Sequence, residues 1–353
     1  MLSLLRLIII LFYRVTQMEI KSGKLPAPLL KKLLGKIKQE DPRVLLGPKL
    51  GEDAALIDFG NKILAAKTDP ITFATDLIGW YLVQVNINDL AVVGATPKWM
   101  LATLLLPEGT NEKQVTNIFD GLTEAAEKQG VALIGGHTEV TSGITKSIAV
   151  GTLLGELDSK DIIMTAGIKE GDAIILTKGI AIEGTSLLCR ESESSLLTAG
   201  VPKDIIAAGK KMLFDPGISV RVDAELARKT VKVHAMHDPT EGGVATGLQE
   251  MASASGLGLN IESSEIIIFD ESKIVCDALG LNPLGLISSG ALLVAMDPDD
   301  APKLVTAFQK NNIMANIIGR ATNTHREVRI VKNDVISRLE VFERDELARY
   351  YDQ

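Results

Sequence analysis

The sequence predicts an α+β protein of two domains. With 353 residues, the chain exceeds the size at which a single hydrophobic core usually stops growing. Hydrophobic residues make up 46% and charged residues 23%, which excludes a disordered, collagen-like or coiled-coil chain. Strand-like and helix-like segments mix without the strict alternation of a doubly wound sheet, so α+β is the better prediction.

The first half is predicted to be rich in strands. Short apolar runs predict strands over 55–59, 63–68, 100–106, 131–134 and 148–154. Residues 76–93 predict a helix that is apolar almost all round, which implies burial. Residues 111–129 predict an amphipathic helix that ends at Gly130. A helix over 29–37 is predicted to lie in a basic arm that precedes these elements.

The second half is predicted to mix longer helices with further strands. Helices are predicted over 181–190, 218–229, 243–255 and 302–311, and strands over 173–177, 257–261, 291–295 and 317–321. A change of segment near 158–167 separates the halves. We therefore predict an extension and arm over 1–43, domains over 44–157 and 168–335, and a tail over 336–353.

The apolar run over 2–13 is too short for a membrane-spanning helix, which needs about 20 residues. We expect the protein to begin at Met18, with a surface anchor and a signal peptide as the alternatives. The formal net charge of −8 argues against general nucleic-acid binding. Cys189 and Cys276, the two cysteines, form no disulfide framework, which favours the cytoplasm.

Four aspartates are candidate ligands of a metal ion: Asp53, Asp69, Asp89 and Asp238. Each of Asp53, Asp69 and Asp238 taken alone could be an ordinary turn or capping residue. Asp89 falls inside the apolar helix, where a carboxylate needs a metal ion or a distant lysine as its partner. Carboxylates without a cysteine or histidine cluster favour Mg²⁺, which normally arrives with substrate phosphates.

Two glycine pairs are candidate phosphate contacts. Gly135-Gly136 follows a predicted strand, and Gly242-Gly243 opens a predicted helix. Glycine allows backbone N–H groups to approach a phosphate, and a helix N-terminus favours an anion. Each pair taken alone could equally be a tight turn, because the sequence has neither a P-loop nor a Gly-x-Gly-x-x-Gly fingerprint.

The order of these motifs resembles the aminoimidazole ribonucleotide (AIR) synthase superfamily, which includes thiamine-monophosphate kinase, selenophosphate synthetase and the hydrogenase-maturation carbamoyl dehydratase. The resemblance covers about 45–321 and lies nearest to the hydrogenase-maturation branch. It rests on the segments Gly51-Glu52-Asp53-Ala54-Ala55, Thr68-Asp69, Asn88-Asp89-Leu90-Ala91, Gly94-Ala95-Thr96-Pro97, Gly135-Gly136-His137-Thr138 and Asp238-Pro239-Thr240-Glu241-Gly242-Gly243.

The resemblance implies a two-domain PurM-like fold whose strand-rich first domains form a dimer barrel, with an α/β sandwich as the second domain. It implies ATP bound between domains with Mg²⁺ on Asp53, Asp69, Asp89 and Asp238. The nucleotide positions that it implies are Gly51, Asn88, Gly135, Gly136, Thr138, Gly242 and Gly243.

The chain also departs from the resemblance. His137 stands where many members have an acidic residue, and it is a candidate acid or base, with a structural role as the alternative. The dehydratase carries a cysteine at its extreme C-terminus, whereas this sequence ends in Tyr350-Tyr351-Asp352-Gln353. We therefore expect any acceptor to be diffusible or to belong to a partner protein.

The resemblance implies a Mg²⁺- and ATP-dependent enzyme that phosphorylates and activates a small-molecule or partner-borne acceptor. We expect a cytoplasmic homodimer without a membrane span that binds no nucleic acid. The alternatives are a small-molecule kinase resembling thiamine-monophosphate kinase and a nucleotide-binding paralogue without catalysis.

Overall fold

Two β-sheets carry the fold in a computed structural model of the chain, which describes residues 22–158 and 162–352. The six-stranded first sheet has the order β1-β2-β3-β6-β4-β5. Its strands are β1 (Val44–Leu46), β2 (Ala55–Asp58), β3 (Ile63–Ile71), β4 (Thr96–Pro107), β5 (Ala132–Thr141) and β6 (Ile148–Leu157). The seven-stranded second sheet has the order β13-β12-β9-β11-β7-β10-β8. Its strands are β7 (Ala173–Thr177), β8 (Val233–His237), β9 (Gly258–Glu262), β10 (Leu293–Met296), β11 (Ala315–Thr322), β12 (Val328–Lys332) and β13 (Val335–Arg338).

Helices accompany both sheets, so the α+β prediction is confirmed. With the first sheet come α1 (Ala27–Leu34), α2 (Ile78–Val92) and α3 (Glu112–Lys128). With the second come α4 (Ile182–Glu191), α5 (Glu193–Thr198), α6 (Lys203–Lys211), α7 (Arg221–Thr230), α8 (Gly243–Ser255), α9 (Asp270–Leu279), α10 (Ala301–Lys310) and α11 (Glu346–Tyr351).

Helix α2 is the buried centre of the first half, as its all-round apolar sequence predicts. All of its residues except Trp80 are buried. It packs closely on β6 because that strand has glycine at the contacts: a side chain at Gly151 would overlap Asn86, and one at Gly155 would overlap Leu90. This close packing brings the C-terminal half of α2, and with it Asp89, down onto the sheet.

Helix α3 shows how local sequence sets an element boundary. The Asn111 side chain accepts from the Gln114 amide at 3.0 Å, and the Gln114 side chain accepts from the Asn111 amide at 2.9 Å. This reciprocal capping box satisfies N–H groups that the first turn leaves without helical partners. The helix therefore begins directly after Asn111, within one residue of the predicted start.

Strand β5 is an exposed edge of the first sheet and pairs in parallel with β4. Gly135 and Gly136 lie inside this strand, so the prediction of a loop after a strand that ends at 134 is wrong. Gly136 lies so close to β4 that a side chain would overlap the Ala102 carbonyl. Ile134 and Val140 are more than half exposed. A dimer barrel that covers this edge stays a prediction.

The second half is joined to the first by α2. The Asn88 side chain donates to the Ile218 carbonyl at 2.8 Å and accepts from the Val220 amide at 2.9 Å. Strand β7 is buried at every residue, and Ala91 and Val92 of α2 share one apolar cluster with its Ile175. Helix α2 therefore lies at the junction of the two halves, and this junction is called the cleft below.

Several elements differ from the sequence-based predictions. The strand over Val233–His237 and the helices over Lys203–Lys211 and Glu346–Tyr351 were not predicted. The expectations for residues 1–17, including the start at Met18, fall outside the described residues. Among the described residues, no helix is both long and apolar enough to span a membrane.

Candidate active site

Three of the four predicted aspartates converge in the cleft. Asp53 lies in the loop before β2, Asp89 lies on α2, and Asp238 directly follows β8. One carboxylate oxygen from each lies within 4.8 Å of the others. Because these residues come from both halves of the chain, packing of the two sheets assembles the cluster.

Some carboxylate oxygens of the cluster accept no hydrogen bond from the described residues. Asp89 and Asp238 are each 3% exposed, and Asp89 Oδ2 and both Asp238 carboxylate oxygens have no hydrogen-bond partner among the described residues. Burial and the neighbouring Asp53 raise the pKa of Asp238 to about 8. Burial likewise raises the pKa of Asp89 well above its usual range. Such orphaned, oxygen-only groups fit a hard divalent cation such as Mg²⁺.

Asp69, the fourth predicted ligand, pairs with a lysine, and its role as a metal ligand stays a prediction. Lys67 and Asp69 point from the same side of β3 toward α2. The Lys67 ammonium lies 3.5 Å from Asp69 Oδ1 and 3.1 Å from Asp89 Oδ1. Burial opposes the charge of this ammonium, but Asp89 and Asp69 outweigh burial and raise the pKa of Lys67. Lys67 is therefore the distant lysine that the buried Asp89 requires.

His237 was not predicted as a site residue, yet it connects two carboxylates. Its Nδ1 lies 3.0 Å from Asp53 Oδ2, and its Nε2 lies 3.0 Å from Glu250 Oε2 on α8. Burial opposes the charge of the imidazolium, but Asp53 and Glu250 raise the pKa of His237 well above its usual range. The charged ring fixes Asp53 toward the cluster. Its position beside Asp238 was the only sequence signal for this role.

The N-terminal arm also reaches the site, which was not predicted. The Lys24 amide donates to Glu241 Oε2 at 3.0 Å. The Lys24 ammonium lies 3.4 Å from Thr240 Oγ1 and 3.8 Å from Glu250 Oε1. Ser22 anchors the arm to the tail, donating to Asp352 at 3.2 Å and accepting from Arg344 at 2.8 Å. The arm therefore places a cation at the rim of the cleft.

Gly242 and Gly243 open α8 beside Asp238, but both of their amides donate within the chain. Gly242 N donates to Asp345 Oδ2 at 2.6 Å, and Gly243 N donates to the Thr240 carbonyl at 3.0 Å. Both residues have positive φ, and a side chain at Gly243 would overlap the Leu284 carbonyl. Glycine is thus explained here by backbone geometry. A phosphate contact at this turn stays a prediction.

A group of buried acids surrounds this turn. Glu183 is 6% exposed, and its Oε2 has no hydrogen-bond partner among the described residues. Burial, together with the nearby Asp345 and Glu241, raises the pKa of Glu183 to about 7. Burial also raises the pKa of Asp345 to about 7. The second-domain side of the cleft is therefore acidic beyond the aspartate cluster.

Gly51 and Asn88 have structural partners. Gly51 has a φ of +82°, and a side chain there would press on the Glu250 carbonyl. The side chain of Asn88 bonds on both sides to the backbone of the second half, as described above. Nucleotide contacts from either residue stay predictions.

The predicted residues of β5 lie away from the aspartates within one chain. In register, His137 faces Thr103, Thr103 faces Val150, and Val150 faces Pro70 beside Asp69. Three strand spacings of about 4.8 Å separate His137 from β3, or about 14 Å. The His137 side chain is 63% exposed and bonds to Glu139 at 3.1 Å. Gly135, Gly136 and Thr138 share this edge strand, so roles for them and for His137 stay predictions.

Both cysteines are packed within helices of the second half. Cys189 lies on α4 and Cys276 on α9, and both side chains are fully buried. Burial raises the pKa of each thiol to about 12. Since the thiolate is the nucleophile, neither cysteine is poised for reaction at neutral pH.

Sheets, central helix and carboxylate cluster together define a two-domain protein of the AIR synthase type, and sequence comparison agrees. The family described as "AIR synthase related protein, N-terminal domain" matches residues 51–157. The family described as "AIR synthase related protein, C-terminal domain" matches residues 169–332. The chain belongs to the AIR synthase related family, and the resemblance seen in the sequence is confirmed.

Several relatives carry names from the branch that the sequence suggested. A hydrogenase expression/formation protein of Methanocaldococcus jannaschii is 30% identical over 323 residues, covering 89% of this chain and 93% of that protein. Carbamoyl dehydratase HypE of Rhodobacter capsulatus is 29% identical over 282 residues, covering 77% and 79%. The solved structure of HypE in complex with ATP superposes with a TM-score of 0.65 at 19% identity, covering 93% of this chain and 98% of that one. The solved structure supports the fold, and the two sequence relatives support a HypE-like branch.

Proposed function

We propose that this protein is a Mg²⁺-dependent, ATP-using enzyme that phosphorylates and thereby activates a small-molecule or partner-borne acceptor. The observation that carries the proposal is the Asp53, Asp89 and Asp238 cluster, with its buried, unpartnered oxygens where the two halves meet. The family and the ATP complex of a structural neighbour add support. Cytoplasmic location and a homodimer complete the proposal.

The chain supplies charge and position for this chemistry. Asp53, Asp89 and Asp238 would hold Mg²⁺, which when bound neutralises phosphate charge during phosphoryl transfer. His237 holds Asp53 in place through the Nδ1 contact. The Lys24 ammonium lies beside Thr240, outside the aspartate cluster. Its positive charge at this rim would attract a polyphosphate toward the metal. These roles are positioning and electrostatic stabilisation.

The acceptor is proposed to come from outside the described chain. Cys189 and Cys276 are fully buried and have raised pKa values, so neither thiol can accept a group at the cleft. The relatives named for hydrogenase expression and for carbamoyl dehydration favour an amide-type oxygen as the acceptor. A carbamoyl group on a maturation partner is such an acceptor.

Calorimetry tests the metal-bridged ATP site. ATP binding with Mg²⁺ should be strong and should collapse with a chelator. Asp89→Asn and Asp238→Asn should each weaken Mg²⁺-dependent binding at least tenfold, about 1.4 kcal/mol. Asp172→Asn is the matched control, because Asp172 is also 3% exposed but bonds to His234 at 2.9 Å and lines a separate cavity of about 700 Å³. Equal affinity with and without chelator would refute the proposal.

Turnover across acceptors separates the remaining alternatives. An activating enzyme should release phosphate and dehydrate or cyclise an amide-type acceptor. A small-molecule kinase should instead accumulate a stable phosphorylated acceptor, detected by mass spectrometry. A non-catalytic paralogue should bind ATP with Mg²⁺ and consume none with any acceptor. The proposal predicts the first outcome.

A further inference from the structure

The Lys67 ammonium lies beside the aspartate cluster. Its Nζ lies 3.1 Å from Asp89 Oδ1, an atom of the same carboxylate that faces Asp53 and Asp238. The Lys67 side chain is 21% exposed and that of Asp89 is 5% exposed. An ammonium is thus held against the cluster by the chain itself.

The backbone fixes this ammonium in place. Lys67 and Asp69 lie two residues apart on the same face of β3, which pairs with β6 through Leu153 and Gly151. Asn86 of α2 accepts from the Asp69 amide at 3.2 Å, which ties the helix to the same strand. Strand and helix therefore hold Lys67 and Asp89 together without any bound ligand.

We propose that Lys67 is a built-in counter-ion that stabilises the empty aspartate cluster and lowers its affinity for free Mg²⁺. An ammonium and a divalent cation drawn to the same carboxylates repel each other, and partly buried charges are screened little by salt. A metal that arrives with a polyphosphate brings its own negative charge and meets less repulsion. Lys67 thereby favours metal–nucleotide complexes over the free ion. The inference rests on the proposed Mg²⁺ site.

The test uses the full chain without nucleotide, so it stands apart from ATP turnover. Lys67→Met keeps the length of the side chain and removes its charge, while Lys67→Arg keeps the charge. Thermal unfolding is followed in chelator and across a Mg²⁺ titration, and Mg²⁺ binding is measured by calorimetry. Asp238→Asn removes one proposed ligand, so a Mg²⁺ effect that this variant abolishes comes from the aspartate cluster.

Lys67→Met should lower the melting temperature in chelator by several degrees. Millimolar Mg²⁺ should restore that loss, and Mg²⁺ affinity should rise at least tenfold over the unmodified protein. Lys67→Arg should behave like the unmodified protein. Lys178→Met is the matched control: this lysine is 6% exposed and lies 3.4 Å from the buried Asp223. It should lower the melting temperature with no Mg²⁺ rescue.

A double variant guards against simple misfolding. Lys67→Met with Asp89→Asn removes both members of the pair, so it should regain much of the stability in chelator without regaining Mg²⁺ binding. Unchanged or weaker Mg²⁺ binding in Lys67→Met would overturn the inference and leave the metal site intact. Absence of any Mg²⁺ signal sensitive to Asp238→Asn would overturn both the inference and the proposed site.

Discussion

Two regions of this protein combine histidine and paired glycines, and their surroundings differ sharply. Gly135, Gly136 and His137 lie on the exposed edge strand β5, where the histidine side chain is 63% exposed. His237 ends β8, and Gly242 and Gly243 lead into α8; the histidine side chain here is 5% exposed. The sequence motifs look equivalent, but only the second region meets the aspartate cluster. Burial and tertiary partners, rather than residue type, separate a candidate site from a strand edge.

The histidines give the sharpest contrast. His237→Ala removes the group that pairs with Asp53 and Glu250 and leaves both carboxylates without that partner. Loss of one partner of a buried pair costs about 3–5 kcal/mol. His137→Ala removes an exposed side chain and should change the free energy of unfolding by less than about 0.5 kcal/mol. Urea unfolding of both variants measures the difference, and equal values would contradict the comparison.

The exposed edge should matter for assembly instead. Ile134 and Val140 on β5 are 53% and 58% exposed, and an uncovered apolar edge strand is a surface for pairing. We predict a homodimer of the 37.8 kDa chain that covers this edge. Ile134→Lys with Val140→Lys should yield monomers by light scattering. Val222→Lys, at a 65% exposed valine on α7, should leave the mass unchanged. Dimers that persist in the β5 variant would refute the predicted interface.

Carboxylates near the second region should make stability depend on pH. Burial raises the pKa of Glu183 from about 4.5 to about 7, with Asp345 and Glu241 adding to the shift. The unfolded state therefore ionises first, and this group lowers stability as the pH rises from 4.5 to 7. At 1.4 kcal/mol per pKa unit, the loss is on the order of 3–4 kcal/mol.

Glu183→Gln should remove that loss. The variant should be more stable than the unmodified protein at pH 8 and equal to it near pH 4.5, as measured by urea unfolding at each pH. Glu225→Gln is the control of opposite sign: burial opposes ionisation there, but Arg221 and Lys229 lower the pKa of Glu225. Glu225→Gln should therefore slightly lower the free energy of unfolding at pH 8. A Glu183→Gln variant with no gain at pH 8 would show that the carboxyl does not carry this effect.

Local sequence predicted much of this fold, and non-local pairing explains what it missed. The Asn111 capping box and the Gly256 stop delimit α3 and α8 through neighbours in sequence. Strand β8 (Val233–His237) was missed because two histidines interrupt its apolar residues. The aspartates could be selected by motif order, but Lys67 opposite Asp89 could not be identified, since only packing of α2 on β3 brings them together.

The arm offers the smallest and most discriminating test of the second region. Lys24 lies 3.8 Å from Glu250, and its side chain is 48% exposed. Such a half-exposed pair contributes only about 0.2–1 kcal/mol to stability, so Lys24→Met should fold normally. If the ammonium attracts phosphate at the rim, the same variant should weaken Mg²⁺-dependent ATP binding by roughly three- to tenfold, or about 0.7–1.4 kcal/mol. Lys31→Met, on the exposed α1 of the same arm, should bind ATP as the unmodified protein does.

Calorimetry with and without added salt completes the test of Lys24, because salt screens the electric field of a charge at the rim. If Lys24→Met binds ATP with unchanged affinity, the arm has only a structural role, which is to connect Ser22 with the tail. Residues of the cleft alone would then bind the phosphate.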